Sequence, residues 1–446
     1  MRFLEEKFVP IAARIGNERH LVSIRDAFVL IMPITIAGAL AVLLLNFQGI
    51  FASNGLNIPA IQEGYSNFLQ SSGLKNVFLT IHRGSLGMIA ILLVAALGYT
   101  MTNTREGDGP AGSIVSLAVY FGLTPSLASL PLGVSDLAGM TEGMSLGSDA
   151  VGSAYLASGG LFVGMIVALI TAEVFAFLSK NEKLRIKMPD GVPPAVSKSF
   201  SSLIPALLTM LIVGGAGTFI TVFTGETIWD LINRFVSAPL TNVADTVGTV
   251  ALVNFMITFL WIFGLHGANI IGAVTSPIQK PLSLENVAAF SNNQEPQHIF
   301  TEEFGTAFIN LGGSGATIGL IIAIFIFSKS KASRTVASIA AAPGIFEINE
   351  PLTFGLPIVM NPIFAIPFVF GPVILGVVSY FLVQAGIIGK TCMIVPWVTP
   401  PILGAFLITG GNVPAAIWNI IEIVLLVIFW APFVMMSDRM SNKGEE

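Results

Sequence analysis

The chain is poor in charge, cysteine and histidine, and each shortage closes off a class of protein. Only 11% of its 446 residues are charged, against about 25% in soluble domains, so water cannot solvate its surface. A single cysteine, Cys392, excludes an intramolecular disulfide framework and a cysteine-based metal cluster. The 4 histidines follow no HExxH or other ligand spacing, so neither a metal nor a cofactor is expected. No basic stripe interleaved with aromatics marks a nucleic-acid surface. The glycine-rich stretches lack the GxxxxGK[ST] pattern, which argues against direct use of ATP. Cys392 stands beside an apolar stretch with no nest of backbone donors, so any phosphoryl group must come from another protein. Residues 1–26 are studded with charge and contain no short apolar core of a cleavable signal.

What the chain does have is apolar surface, at 54% hydrophobic residues. Nearly uncharged runs cover Ala27–Phe47, Met88–Thr102, Leu161–Leu178, Leu203–Phe223, Val247–Leu265, Ile318–Phe327, Leu356–Val383 and Pro414–Met436. With their neutral flanks they approach the roughly 18 residues that a lipid-spanning helix needs. The chain is therefore an all-α integral membrane protein in contact with lipid. Lys and Arg gather in residues 1–25, Lys180–Lys198, Lys329–Arg334 and Arg439–Lys443, whereas Ala52–Leu74 and Pro131–Ser153 hold none. The positive-inside rule puts both termini in the cytoplasm, with residues 1–26 as an amphipathic segment on that face and 439–446 as a tail. Three apolar stretches, 200–223, 247–276 and 304–328, separate two basic loops that should both be cytoplasmic. An odd number of crossings cannot do this, so a re-entrant segment is expected there. Which stretch re-enters is not legible.

Three apolar regions carry groups that a plain spanning helix has no use for. The first is Trp261-Ile-Phe-Gly-Leu-His266-Gly-Ala-Asn269. A histidine between glycines inside an apolar run faces either a cavity or a neighbouring helix. The second is Pro343-Gly-Ile-Phe-Glu347-Ile-Asn349-Glu350-Pro351-Leu-Thr-Phe-Gly355-Leu-Pro357. Its prolines remove backbone donors and its glycines relax the chain, giving a hairpin or broken helix tipped by a carboxylate and an amide. Transporters build their sites at such breaks. The third is Asn310-Leu-Gly-Gly-Ser314-Gly-Ala-Thr317, where small residues either let helices pack closely or open the backbone to a ligand. His82 and Arg83 lie at the mouth of an apolar segment, and Trp397 is either an interfacial aromatic or a stacking platform for a sugar ring. Glu173 and Glu422 read as structural, Glu422 by pairing across helices.

Taken in order, these motifs resemble a known family. The basic N-terminus, Lys187-Met-Pro-Asp190-Gly-Val-Pro-Pro194-Ala-Val-Ser-Lys198-Ser-Phe200, Phe263-Gly-Leu-His266-Gly, Leu311-Gly-Gly-Ser-Gly-Ala-Thr317 and Gly344-Ile-Phe-Glu-Ile-Asn349-Glu350-Pro351 are similar to the lactose, cellobiose and N,N'-diacetylchitobiose family of phosphotransferase-system IIC permeases. The resemblance implies a homodimer, about ten spans and two re-entrant hairpins per subunit. It implies a dimer-forming N-terminal half, residues 27–223, and a sugar-holding C-terminal half, residues 224–438. It assigns Glu350 and His266 to the hydroxyl that is phosphorylated, with Asn349, Trp397, Trp261, Asn310, Ser314, His82 and Arg83 as further substrate-binding candidates. It implies as partners a disaccharide and a phosphocysteine IIB protein, expected to be separate because the chain ends at Glu446, with IIA and a phosphohistidine carrier upstream. The location implied is a bacterial inner membrane. On bare physics a Glu–His pair at a broken helix also suits a proton-coupled sugar transporter without phosphorylation. The particular disaccharide, the inward- or outward-facing state and the identity of the base are not legible.

Overall fold

A computed structural model describes residues 14, 17–51, 58–125, 151–189, 191–356, 358–359 and 361–443. Every regular element among them is a helix. Six helices are long and apolar enough to cross a membrane, Arg19–Asn46, Leu74–Thr104, Ser158–Ser179, Pro194–Thr224, Pro362–Gln384 and Val413–Met440. A seventh forms if the pair Ile228–Ala244 and Val247–Ile262, bent by 73°, counts as one broken span. The expected amphipathic segment falls mostly outside the described residues, and most of the polar stretch Asp136–Ser153 lies outside them too.

The chain divides into two compact units. One takes Asn17–Thr35 and Arg83–Leu240. Its longer helices are the first part of α1 (Arg19–Asn46), then α2 (Ile89–Thr104), α3 (Gly109–Leu123), α4 (Leu161–Ser179) and α5 (Pro194–Thr224). Helices α2, α3 and α4 pack on one another. In lipid no hydrophobic effect drives helices together, so close backbone approach through small residues must do so. A Cβ on Gly98 would sit 2.8 Å from the Ser116 Cβ, and one on Gly164 would sit 2.8 Å from Val94. Glu173 closes the end of this bundle, accepting from Arg105 and lying 2.9 Å from the His20 Nε2, which is the structural role its position suggested.

The other unit takes Ile36–His82 and the chain from Thr241 onward. Besides the rest of α1 and the helices Pro59–Ser71 and Leu74–Gly84, it holds α6 (Val247–Ile262), α7 (Gly267–Ser291), α8 (Glu302–Phe308), α9 (Ile318–Phe327), α10 (Lys331–Ile345), α11 (Glu350–Gly355), α12 (Pro362–Gln384), α13 (Leu403–Ile408) and α14 (Val413–Lys443). Helix α6 packs on α12 and α9 on α14, and α10 packs on both α9 and α11. Between the apolar stretches 247–276 and 304–328 the chain stays helical as far as Ser291 despite Pro277 and Pro281, leaving only residues 292–301 irregular. The apolar stretches 247–276 and 304–328 are each interrupted, at 263–266 and 309–317. These breaks set the candidate site.

Candidate functional site

Three chain breaks meet on one apolar cluster. Trp261 from the end of α6, Leu311 and Ala316 from the loop before α9, and Leu352, Leu356 and Ile358 from α11 and its exit all belong to it. Nearly complete burial of these side chains fixes the three loops against a common floor, since close-packed interiors tolerate little sliding.

At the first break the chain leaves α6 through Gly264, whose φ of 73° is cheap only for glycine. His266 then caps α7, its Nδ1 accepting from the Asn269 N–H at 3.3 Å. With Nδ1 engaged as acceptor, a neutral ring carries its proton on Nε2 and presents a donor. The residue is exposed, and its ring lies 4.7 Å from that of the buried Trp261. Gly267 is required here, because a Cβ would collide with the Ile257 carbonyl. Trp261 also meets Phe354 of α11 at 6.1 Å between centroids. Its indole N–H is buried without a partner among the described residues. Such an orphan donor is costly unless a ligand or water meets it.

The second and third breaks are stitched together. Between α10 and α11 the chain reverses through Glu347, held at φ 66°. One carboxylate oxygen of Glu347 accepts from the Gly312 N–H at 2.7 Å and the Gly313 N–H at 2.9 Å. Asn349 Nδ2 donates to the Ser314 carbonyl at 2.5 Å, and Thr317 Oγ1 donates to the Gly312 carbonyl at 2.5 Å. Glu350 opens α11, half-buried, with Pro351 in the first turn where no backbone donor is needed. Among the described residues nothing hydrogen-bonds or ion-pairs with its carboxylate. An acceptor-only group without a protein partner, set at the tip of a broken helix, is an open binding position.

The expected site residues are thus placed unevenly. His266, Trp261, Ser314, Asn349 and Glu350 lie at the three breaks that meet on the apolar cluster. Asn310 contributes backbone, accepting from the Gly313 N–H at 2.8 Å and donating to the Gly305 carbonyl at 2.9 Å. Trp397 lies on a separate turn, 58% exposed, and His82 and Arg83 end the helix Leu74–Gly84. Cys392 is buried. Sequence reasoning passed over Glu347. Its signal was present, a carboxylate three residues before Glu350 between apolar neighbours, but nothing in the sequence paired it with glycines 34 and 35 positions away.

Apolar helices broken at three points, with an exposed imidazole and an unpartnered carboxylate at the breaks, define a membrane transporter for a polar solute. The chain belongs to the phosphotransferase-system EIIC family: residues 25–372 match the family described as "Phosphotransferase system, EIIC". It is 32% identical to the lichenan permease IIC component of Bacillus subtilis (strain 168), over 100% of this chain and 95% of that one. It is 31% identical to the cellobiose-specific EIIC component of Lactococcus lactis subsp. lactis (strain IL1403), covering 99% and 98%. Among solved structures it is similar to the transporter ChbC, the IIC component of the N,N'-diacetylchitobiose-specific phosphotransferase system, with a TM-score of 0.87, 32% identity and coverage of 100% and 99%.

Proposed function

We propose that the protein binds a β-linked disaccharide of the cellobiose or diacetylchitobiose kind, carries it across the inner membrane and presents one hydroxyl to a phosphocysteine on a separate IIB protein. The observation that carries this reading is the partnerless Glu350 carboxylate, held by the stitched loops on the same apolar floor as His266. A sugar hydroxyl is a poor nucleophile, and a carboxylate within hydrogen-bond reach orients it and takes its proton as the phosphorus–oxygen bond forms. The phosphoryl group passes from the IIB cysteine sulfur to that oxygen, and the thiolate leaves. His266 Nε2–H donates to the same sugar. Trp261 supports the imidazole and offers its indole N–H, and Asn349, whose Nδ2 is committed to Ser314, offers its Oδ1.

The relatives' printed specificities for lichenan, cellobiose and diacetylchitobiose support the substrate class, and the basic clusters support cytoplasmic termini. We read the protein as a homodimer of about ten-span subunits with its two re-entrant hairpins around residues 309–317 and 346–349.

The test uses membrane vesicles from cells lacking their own sugar permeases, supplied with the phosphohistidine carrier, IIA and IIB, and radiolabelled cellobiose or diacetylchitobiose. Sugar phosphate should accumulate only when IIB is present. Glu350→Gln should keep sugar binding within a few fold and lower phosphorylation about 100-fold or more, the range of general-base removal. Glu350→Ala should also weaken binding, by about tenfold, as expected for losing a charge-assisted hydrogen bond. Accumulation of unmodified sugar that follows a proton gradient would instead make the protein a secondary transporter.

A further inference from the structure

The geometry points to Glu347 as a positioning residue that assembles the sugar site by latching one re-entrant loop onto the other. It rests on the reading of Glu350 as a sugar ligand. Glu347 and Glu350 are two carboxylates three residues apart with opposite situations. Glu347 is buried and engaged through one oxygen on successive backbone N–H groups, while Glu350 is half-buried and open. Successive N–H groups flanked by left-handed residues form a concave nest for an anion. Here the nest is Gly312, at φ 81°, and Gly313, at φ 94°. Its anion is supplied by the chain itself.

The second contact, Asn349 Nδ2 to the Ser314 carbonyl, flanks the residue that follows, Glu350. The two stitches therefore fix the chain on the N-terminal side of Glu350 at two points of one rigid turn. The fit leaves no room for slippage. A Cβ on Gly313 would lie 2.8 Å from both the Glu347 carbonyl oxygen and the Asn349 Cγ. Glu347 itself occupies left-handed backbone at φ 66°, a conformation of raised energy for a non-glycine residue. That conformation is maintained by what its side chain holds. Without the latch, α11 keeps its helix but loses the anchor that sets where Glu350 points.

Length, not charge, is what this role demands, since the accepting oxygen must reach both N–H groups. The test measures equilibrium binding of radiolabelled cellobiose and diacetylchitobiose to the purified full-length protein in detergent. Each variant must first elute as a single species and melt cooperatively well above the assay temperature. Glu347→Gln keeps an acceptor at the same reach, and its affinity should stay within about threefold. Glu347→Asp keeps the charge but falls about one methylene short, and Glu347→Ala removes the acceptor. Both should lose about tenfold or more. The decisive readout is a double-mutant cycle, because a residue acting through Glu350 has nothing to act through once Glu350 is gone. In the Glu350→Ala background, Glu347→Ala should change affinity by less than about twofold.

Equal losses in both backgrounds, or a Gln variant as weak as Ala, would overturn the latch and leave Glu347 as a general stabiliser. If Glu350→Ala alone binds both sugars with unchanged affinity, the failure lies with Glu350 as ligand. Should Glu347→Ala fail to fold, the Gln and Asp variants still decide between reach and charge.

Discussion

Glycine at a left-handed position matters to different degrees, according to what a side chain would strike. Gly313, at φ 94°, faces the Glu347 carbonyl and the Asn349 side chain at 2.8 Å, and a backbone oxygen cannot give way. Gly386, at φ 71°, has nothing within 4 Å. Gly386→Ala should therefore cost about 1–2 kcal/mol from backbone strain alone. Gly313→Ala adds overpacking to that strain and should cost about 3 kcal/mol or more. Thermal midpoints of the two variants in one detergent check the difference, and only Gly313→Ala should also lose sugar binding. The Gly-Gly-Ser-Gly-Ala-Thr run was recognisable in the sequence as close packing or opened backbone. The structure shows close packing, with Gly315 against Phe368 and Gly313 against Asn349, and the Gly312 and Gly313 N–H groups turned toward Glu347.

A titrating residue gives another prediction. His298 lies in segment 292–301, outside the long apolar helices, 2.8 Å from Glu285 and 3.6 Å from Asp245. Burial pulls its pKa down, but hydrogen bonds and charges from Asp245 and Glu285 outweigh that and hold it up to about 9, from 6.5. A folded value raised above the unfolded one gives stability that is fully present below pH 6.5 and lost as pH rises through 9. The contribution is on the order of 3 kcal/mol. Asp245 also accepts from the Ile299 and Phe300 N–H groups, so the segment's backbone is tied to the same cluster. Protection factors of the amides of residues 297–301, which divide out base-catalysed exchange, should fall between pH 7 and pH 10, and His298→Gln should remove most of that fall.

Elements in this chain are joined by buried polar groups as well as by apolar packing. Glu422 on α14 is fully buried and accepts from the Ser379 hydroxyl of α12 at 2.6 Å and from Asn419 Nδ2 at 2.8 Å. Asn419 Nδ2 also donates to the Ala307 carbonyl of α8, and Trp418 Nε1 donates to Ser379. The network bridges three helices, which is the cross-helix pairing that a carboxylate inside an apolar run suggested. Glu422→Leu orphans two donors and should cost about 2–4 kcal/mol. Glu422→Gln keeps one of the two acceptors and should cost about half as much. Unfolding of the purified protein in detergent compares them. At this scale the sequence located the helix breaks well, because Gly, Pro and His punctuate otherwise uniform apolar runs. It did not show that α7 runs on to Ser291 through Pro277 and Pro281, which a long helix absorbs.

For the whole molecule, membrane residence follows from composition alone. A chain with 54% hydrophobic and 11% charged residues has no soluble alternative. Assembly and sidedness belong to our reading rather than to the fold of one chain. A homodimer predicts a protein mass near twice 47.1 kDa by light scattering corrected for detergent. A single-chain mass would remove the dimer from the reading. Cytoplasmic termini predict that a cysteine introduced at Lys443, with Cys392 replaced by Ser, reacts with an impermeant maleimide only in inverted vesicles.

The amino-acid sequence by itself determined that the protein lives in lipid, where its apolar helices break and which family's motifs stand at the breaks. Hydropathy and helix breakers act through nearest neighbours along the chain, so both can be read locally. The pairing of Glu347 with Gly312 and Gly313, the capping of α7 by His266 and the Asp245–His298–Glu285 cluster were decided only by tertiary structure. Each depends on which backbone donors are left unpaired when distant segments pack on a shared floor, and that is a property of the assembled chain.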